Sequence, residues 1–153
     1  MTAIDRIKQN HNTINMNNLY ETDFLEWTIQ QAKVLSEHNI QALDWDNLKE
    51  EIEDLGKEQI HAVSSWVKRL IEHKLKLDYC PDSYPRNHWK REINNFQDEI
   101  ERRLTKTLLN KIDVHKEYER AKRLVLSEYN FNFPDKCPYT FEELMTRLTD
   151  DER

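Results

Sequence analysis

Apolar residues along this chain recur every three or four positions, and nowhere do they alternate with the period of a strand. The longest run lies between Trp45 and Tyr79, where Leu48, Ile52, Leu55, Gln59, Val63, Trp66, Leu70, His73 and Leu77 follow at steps of three and four. Such steps keep returning to one face of a turn of about 3.6 residues, so they predict a single amphipathic helix. Gly56 is the one candidate hinge, costing roughly 1 kcal/mol relative to alanine in a helix interior. The stripe keeps its phase across it and no proline follows, which favours a continuous helix. At the standard rise such a helix spans about 50 Å, against a radius of gyration of about 15 Å for a compact chain of this size. The bundle is therefore expected to be somewhat elongated.

Shorter elements flank it. Asp23 with Glu26 three positions on has the form of a helix N-cap, and Phe24, Trp27, Gln31 and Leu35 then share a face through about Asn39. Pro81 and Pro85 make Cys80 to Asn87 a loop, because each proline removes a backbone donor and restricts its predecessor. Trp89, Ile93, Phe96, Ile100, Leu104 and Leu108 predict a third helix to about Asn110, and Tyr118, Ala121, Leu124 and Val125 a fourth to about Tyr129. Asn130 to Pro138 reads as a second loop. Thr140 to Glu143 forms a capping box that opens a short last helix, packed through Phe141, Leu144, Met145 and Leu148. The predicted fold is all-α, a bundle of about five helices with one long second helix. Residues 1 to 19 read as a flexible tail, 20 to 149 as a single domain, and 150 to 153 as a C-terminal tail.

Composition narrows the functional classes. The chain has 153 residues, 37% hydrophobic and 34% charged, with a single glycine and a formal net charge of −6. One glycine cannot build a loop that cradles phosphates, so no nucleotide site is expected. There is no apolar stretch of membrane-spanning length and no signal-peptide core, so a cytoplasmic protein without membrane contact is expected. Cys80 and Cys137 lack zinc-site spacing and read as free thiols in a reducing compartment. Neither a metal nor another cofactor is expected.

Three strings together carry a family resemblance: WDNLKEEIEDLG at Trp45 to Gly56, the His73 to Trp89 stretch that begins HKLKLDYCP, and FPDKCPYTFEEL at Phe133 to Leu144. In that order, preceded by Tyr20, Asp23, Phe24 and Trp27, they resemble bacterial domain-of-unknown-function family twenty-nine over about residues 18 to 148. The resemblance implies an all-helical fold and no assigned activity, substrate or cofactor. The chain departs from the family's usual pattern where a tryptophan is common, near Leu77 to Tyr79 and at Tyr139; these are aromatic exchanges at expected packing positions.

Candidate chemistry is sparse. Glu58 and His61 form an E-x-x-H pair on one helical face, but helical carboxylate-bridged metal sites use that pair twice, and here it occurs once. A solvated helix face is the simpler reading. His73 sits on the apolar stripe between Leu70 and Leu77, so its ring nitrogens need partners; a satisfied core histidine is the plain reading, and an acid/base role beside Glu50, Glu51 or Arg69 the sharper one. An Arg-to-His spacing like that of a class of all-helical ribonucleases occurs at Arg6 and His11, in the unpatterned tail; Lys68 or Arg69 before His73 fits it imperfectly.

Charge is the remaining lead. Residues 42 to 58 hold seven acids, among them Glu50, Glu51, Glu53 and Asp54, against Lys49 and Lys57, a net of −5. Residues 65 to 91 hold Lys68, Arg69, Lys74, Lys76, Arg86, Lys90 and Arg91 against Glu72, Asp78 and Asp82, a net of +4. Such a helix could pair antiparallel with its own copy, acidic end on basic end. The leading expectation is a non-enzymatic interaction module that binds a protein partner or forms a homodimer through the face of the long helix. The alternative is a nucleic-acid-binding or RNA-cleaving protein, with His73 as acid/base and Lys68, Arg69, Lys74, Arg86, Lys90 and Arg91 on phosphates.

Overall fold

In a computed structural model, residues 19–81 and 84–148 are described. The expected N-terminal tail with Arg6 and His11, save Leu19, lies outside them, as do Asp82 and the expected C-terminal tail. Among the described residues there are seven helices, α1 (Leu19–Thr22), α2 (Phe24–Ser36), α3 (Trp45–Tyr79), α4 (Arg86–Arg103), α5 (Lys106–Leu109), α6 (Val114–Glu128) and α7 (Phe141–Met145), with a 3-10 turn at Ile40–Ala42. There is no strand among the described residues. The all-α reading holds, and α3 runs unbroken through Gly56.

Caps set most of the boundaries. Asp23 accepts from the Glu26 backbone N–H at 3.1 Å and starts α2; Asp113 does the same for Lys116 at 3.0 Å and starts α6. Thr140 and Glu143 exchange both bonds of the capping box. At the other end of α2, the His38 N–H reaches Leu35 O and the Asn39 N–H reaches Val34 O, closing the helix. This closure puts His38 at φ 56°, a left-handed conformation more usual for glycine.

The predicted third helix is divided. Leu104 leaves the helical region, and Thr105 caps a new turn by accepting from the Leu108 N–H at 3.2 Å. An N-capping side chain at that point competes with the helical ladder, and Leu104 and Leu108 both pack on the core from either side of the break.

Contacts divide the chain into two compact units, Met1–Leu55 and Gly56–Arg153. In the second, Val63, Val67, Leu70, Ile71 and Leu75 of α3 meet Ile93, Phe96 and Ile100 of α4, Tyr118, Ala121 and Val125 of α6, and Phe133, Leu144 and Leu148. Each of the large side chains contributes roughly 1.5–3 kcal/mol by leaving water. Gln97, buried among them, donates from Nε2 to Leu144 O at 2.9 Å and Thr146 O at 3.0 Å, which ties the end of α7 to α4. The Tyr139 hydroxyl, at one of the departures from the family pattern, donates to Asp78 Oδ2 at 2.8 Å. Cys80 is buried and Cys137 half-buried; both are free thiols whose pKa burial pushes up.

Among the described residues of the first unit, Leu19, Trp27 and Gln31 alone are buried. The sequence expectation that Phe24 and Leu35 share the inward face of Trp27 and Gln31 is not met: both are exposed. Phe24 instead stacks on the Trp27 ring at 5.6 Å between centroids.

Candidate functional site

Side chains from three segments converge in the first unit. The Trp27 indole N–H donates to Asp44 Oδ2 at 3.0 Å, Asn47 Nδ2 donates to the same oxygen at 2.7 Å, and the Asp44 backbone N–H donates to Gln31 Oε1 at 2.9 Å. Tyr20 donates its hydroxyl to Glu51 Oε1 at 2.6 Å. Bonds from Asn47 and Trp27 hold the Asp44 carboxyl below its ordinary pKa, and the bond to Glu51 raises Tyr20 to about 12. Tyr20, Trp27, Gln31, Asp44 and Asn47 are among the residues around an open cavity of about 700 Å3. Because these polar groups are engaged with one another, their evident task is to fasten α1 and α2 to the start of α3.

Fastened in this way, α3 leaves the beginning of its apolar stripe uncovered. Trp45 is 59% exposed, Ile52 67% and Leu55 61%, whereas Val63 and Leu70 on the same stripe are at most 1% exposed. The Trp45 indole N–H donates to Ile40 O at 3.2 Å. Its one polar atom is thus satisfied internally. On α2, Leu25 and Ile29 are exposed as well. Large exposed hydrophobics are concentrated among the described residues of this unit: Phe24, Leu25, Ile29, Leu35, Ile40, Trp45, Ile52 and Leu55. Of the acidic residues expected here, Glu50 and Glu53 are exposed, and Glu51 and Asp54 are half-buried.

The expected basic patch is mostly engaged. Lys68 pairs with Glu72 at 3.4 Å, with side chains 20% and 13% exposed. Lys74 pairs with Asp78 at 3.2 Å, Lys76 with Glu128 at 3.4 Å, and Arg86 donates to Cys80 O at 3.3 Å. Arg69 lies over the Trp66 ring, 5.1 Å from its centroid. Lys90 is half-buried and Arg91 exposed. His73 is half-buried, its Nδ1 3.0 Å from Arg69 O and its ring edge-on to Phe96 at 5.0 Å. The carbonyl can only accept, so Nδ1 carries the proton. Burial lowers the pKa of His73. Glu50 and Glu51, its expected neighbours, belong to the other unit. Glu58 and His61 are both exposed, and among the described residues no group of His, Cys, Asp and Glu gathers closely enough to hold a metal ion. No helix there is long and apolar enough to cross a membrane.

The three strings that carry the family resemblance lie on these elements, and the family described as Domain of unknown function DUF29 matches the chain over residues 19–148. The chain belongs to this family. No curated protein and no solved structure matches it. In this DUF29 domain the first string supplies Asp44's neighbour Asn47 together with Glu51, and these meet Trp27 and Tyr20; the third supplies Tyr139, which meets Asp78 of the second.

The residues that sequence reasoning passed over are Leu25, Ile29 and Trp45 as exposed hydrophobics. A signal was present: α2 carries apolar residues off the Trp27 and Gln31 face, and a helix apolar on more than one side has a second surface to cover.

Proposed function

We propose that this DUF29 domain is a helical protein-interaction module, which engages another protein or a second copy of itself through the open first half of the α3 stripe. The observation that carries this reading is the change along one stripe, from Trp45, Ile52 and Leu55 exposed to Val63 and Leu70 buried. A stripe at steps of three and four suits a facing helix, whose side chains it can receive between its own. Two free thiols fit a reducing bacterial cytoplasm. A nucleic-acid function has less support, since Lys68, Lys74 and Arg86 already have partners within the chain and would have to give them up to bind phosphates.

The test is a paired variant, Ile52→Asp with Leu55→Asp, compared with the parent chain by sedimentation across a range of concentrations and by affinity capture from its host. The variant should keep its helical circular dichroism and lose self-association or its stoichiometric companion. A parent chain that sediments as a monomer and captures nothing that depends on these two residues would overturn the reading.

A further inference from the structure

The open stripe lies in a strongly acidic unit. Residues 19–55 contain ten acids against two bases, Lys33 and Lys49, a formal net of −8 in a chain whose total is −6. Both bases are already paired within the unit, Lys33 with Glu37 at 3.8 Å and Lys49 with Glu53 at 2.8 Å. On α3, Glu51 and the exposed Glu58 border one side of the stripe; on the other lies Lys49, whose charge is paired with Glu53. The apolar residues would drive association, and the acidic surroundings of the stripe would select what associates.

A second copy docked face to face on this stripe would set −8 against −8. Within a screening length of about 8–10 Å such flanking charges repel directly, slowing encounter and weakening the complex. The basic segment that could have offset this in an antiparallel pair is largely engaged, through Lys68 with Glu72, Lys74 with Asp78 and Lys76 with Glu128. We therefore infer that the occupant of the open α3 stripe is an amphipathic helix of a different protein, about three turns long, with aliphatic residues at steps of three and four bordered by Lys or Arg. From Trp45 to Leu55 the stripe covers about 15 Å at the standard helical rise, which sets that length. This inference rests on the interaction-module reading and adds the chemistry of the partner.

Two synthetic helical peptides test it, identical in their leucine stripe and differing only in flanks of lysine or of glutamate, each titrated calorimetrically into the full chain. The lysine peptide should bind at least about tenfold tighter than its glutamate twin, and raising the salt concentration about tenfold should remove most of that advantage. Ile52→Ser with Leu55→Ser should abolish binding and leave the thermal unfolding curve in place. Equal binding of the two peptides overturns the charge inference while leaving the docking reading intact. Binding of neither peptide, together with a dimer abolished by Ile52→Asp, makes the occupant a second copy and overturns the inference alone. Binding of neither, with a chain that is monomeric and captures no partner, overturns both.

Discussion

The Trp27 indole N–H donates to Asp44 Oδ2 at 3.0 Å, across 17 residues of sequence. The bond joins one of the few buried side chains of the first unit to the residue just before α3. Asp44→Ala leaves the indole donor and Asn47 Nδ2 without that acceptor, and an unsatisfied buried donor costs about 1–3 kcal/mol. Hydrogen exchange in residues 19–47 should accelerate in this variant while residues 89–125 keep their protection. The pKa of Asp44 is depressed in the fold, so its contribution is complete above the ordinary carboxylate value of about 3.9 and disappears as pH falls below that. Unchanged exchange in the variant would remove the fastening role given to Asp44.

His73 makes a second pH dependence, in a higher window. Its folded pKa is lowered by burial, so the imidazole stays neutral in the fold while the unfolded chain takes up a proton at about pH 6.5. Stability from this residue is full above that value and falls as pH drops through the folded pKa. Urea midpoints at about pH 7.5 and 5.5 should therefore differ more for the parent than for His73→Leu. An imidazole that titrates by NMR at or above its ordinary value would contradict the assignment.

Gln97 anchors the end of α7 with two bonds from one nitrogen, to Leu144 O and Thr146 O. Gln97→Leu keeps an apolar stem and removes both donors, so a loss of about 1–3 kcal/mol in urea unfolding is expected. Exchange at residues 141–148 should accelerate first. Gln97→Glu should be worse, because it turns a negative oxygen toward two carbonyls. If Gln97→Leu unfolds at the parent's midpoint, the two bonds are not a meaningful tie.

Gly56 has no conformational need for glycine: it lies inside α3, its φ is not positive, and an added Cβ would meet nothing within 4 Å. Gly56→Ala should raise stability by about 0.5–1 kcal/mol through helix propensity. The thermal midpoint is the measurement. A lower midpoint would contradict the unhindered helical position assigned to Gly56.

The all-α class, the unbroken long helix and several helix starts are legible in local sequence, although five helices are expected and seven are found among the described residues. Asp23, Asp113 and the Thr140 capping box act over three residues, and the stripe of α3 keeps its phase across Gly56, so these features follow from neighbouring positions alone. The break at Leu104 was less legible, because an apolar spacing of four continues across it and only the capping bond of Thr105 turns the chain. The basic patch is a mixed case: Lys68 and Lys74 are offset by Glu72 and Asp78 four positions on, a spacing visible in the sequence, whereas Lys76 meets Glu128, 52 residues away, only in the folded chain. Tertiary structure alone decided which half of the α3 stripe is covered. Ile52 and Val63 carry the same periodic signal, but burial is a property of what lies opposite. Opposite Val63, α4, α6 and the segment from Phe133 to Leu148 close over the helix, whereas Ile52 is left to water because no described part of the chain packs over it.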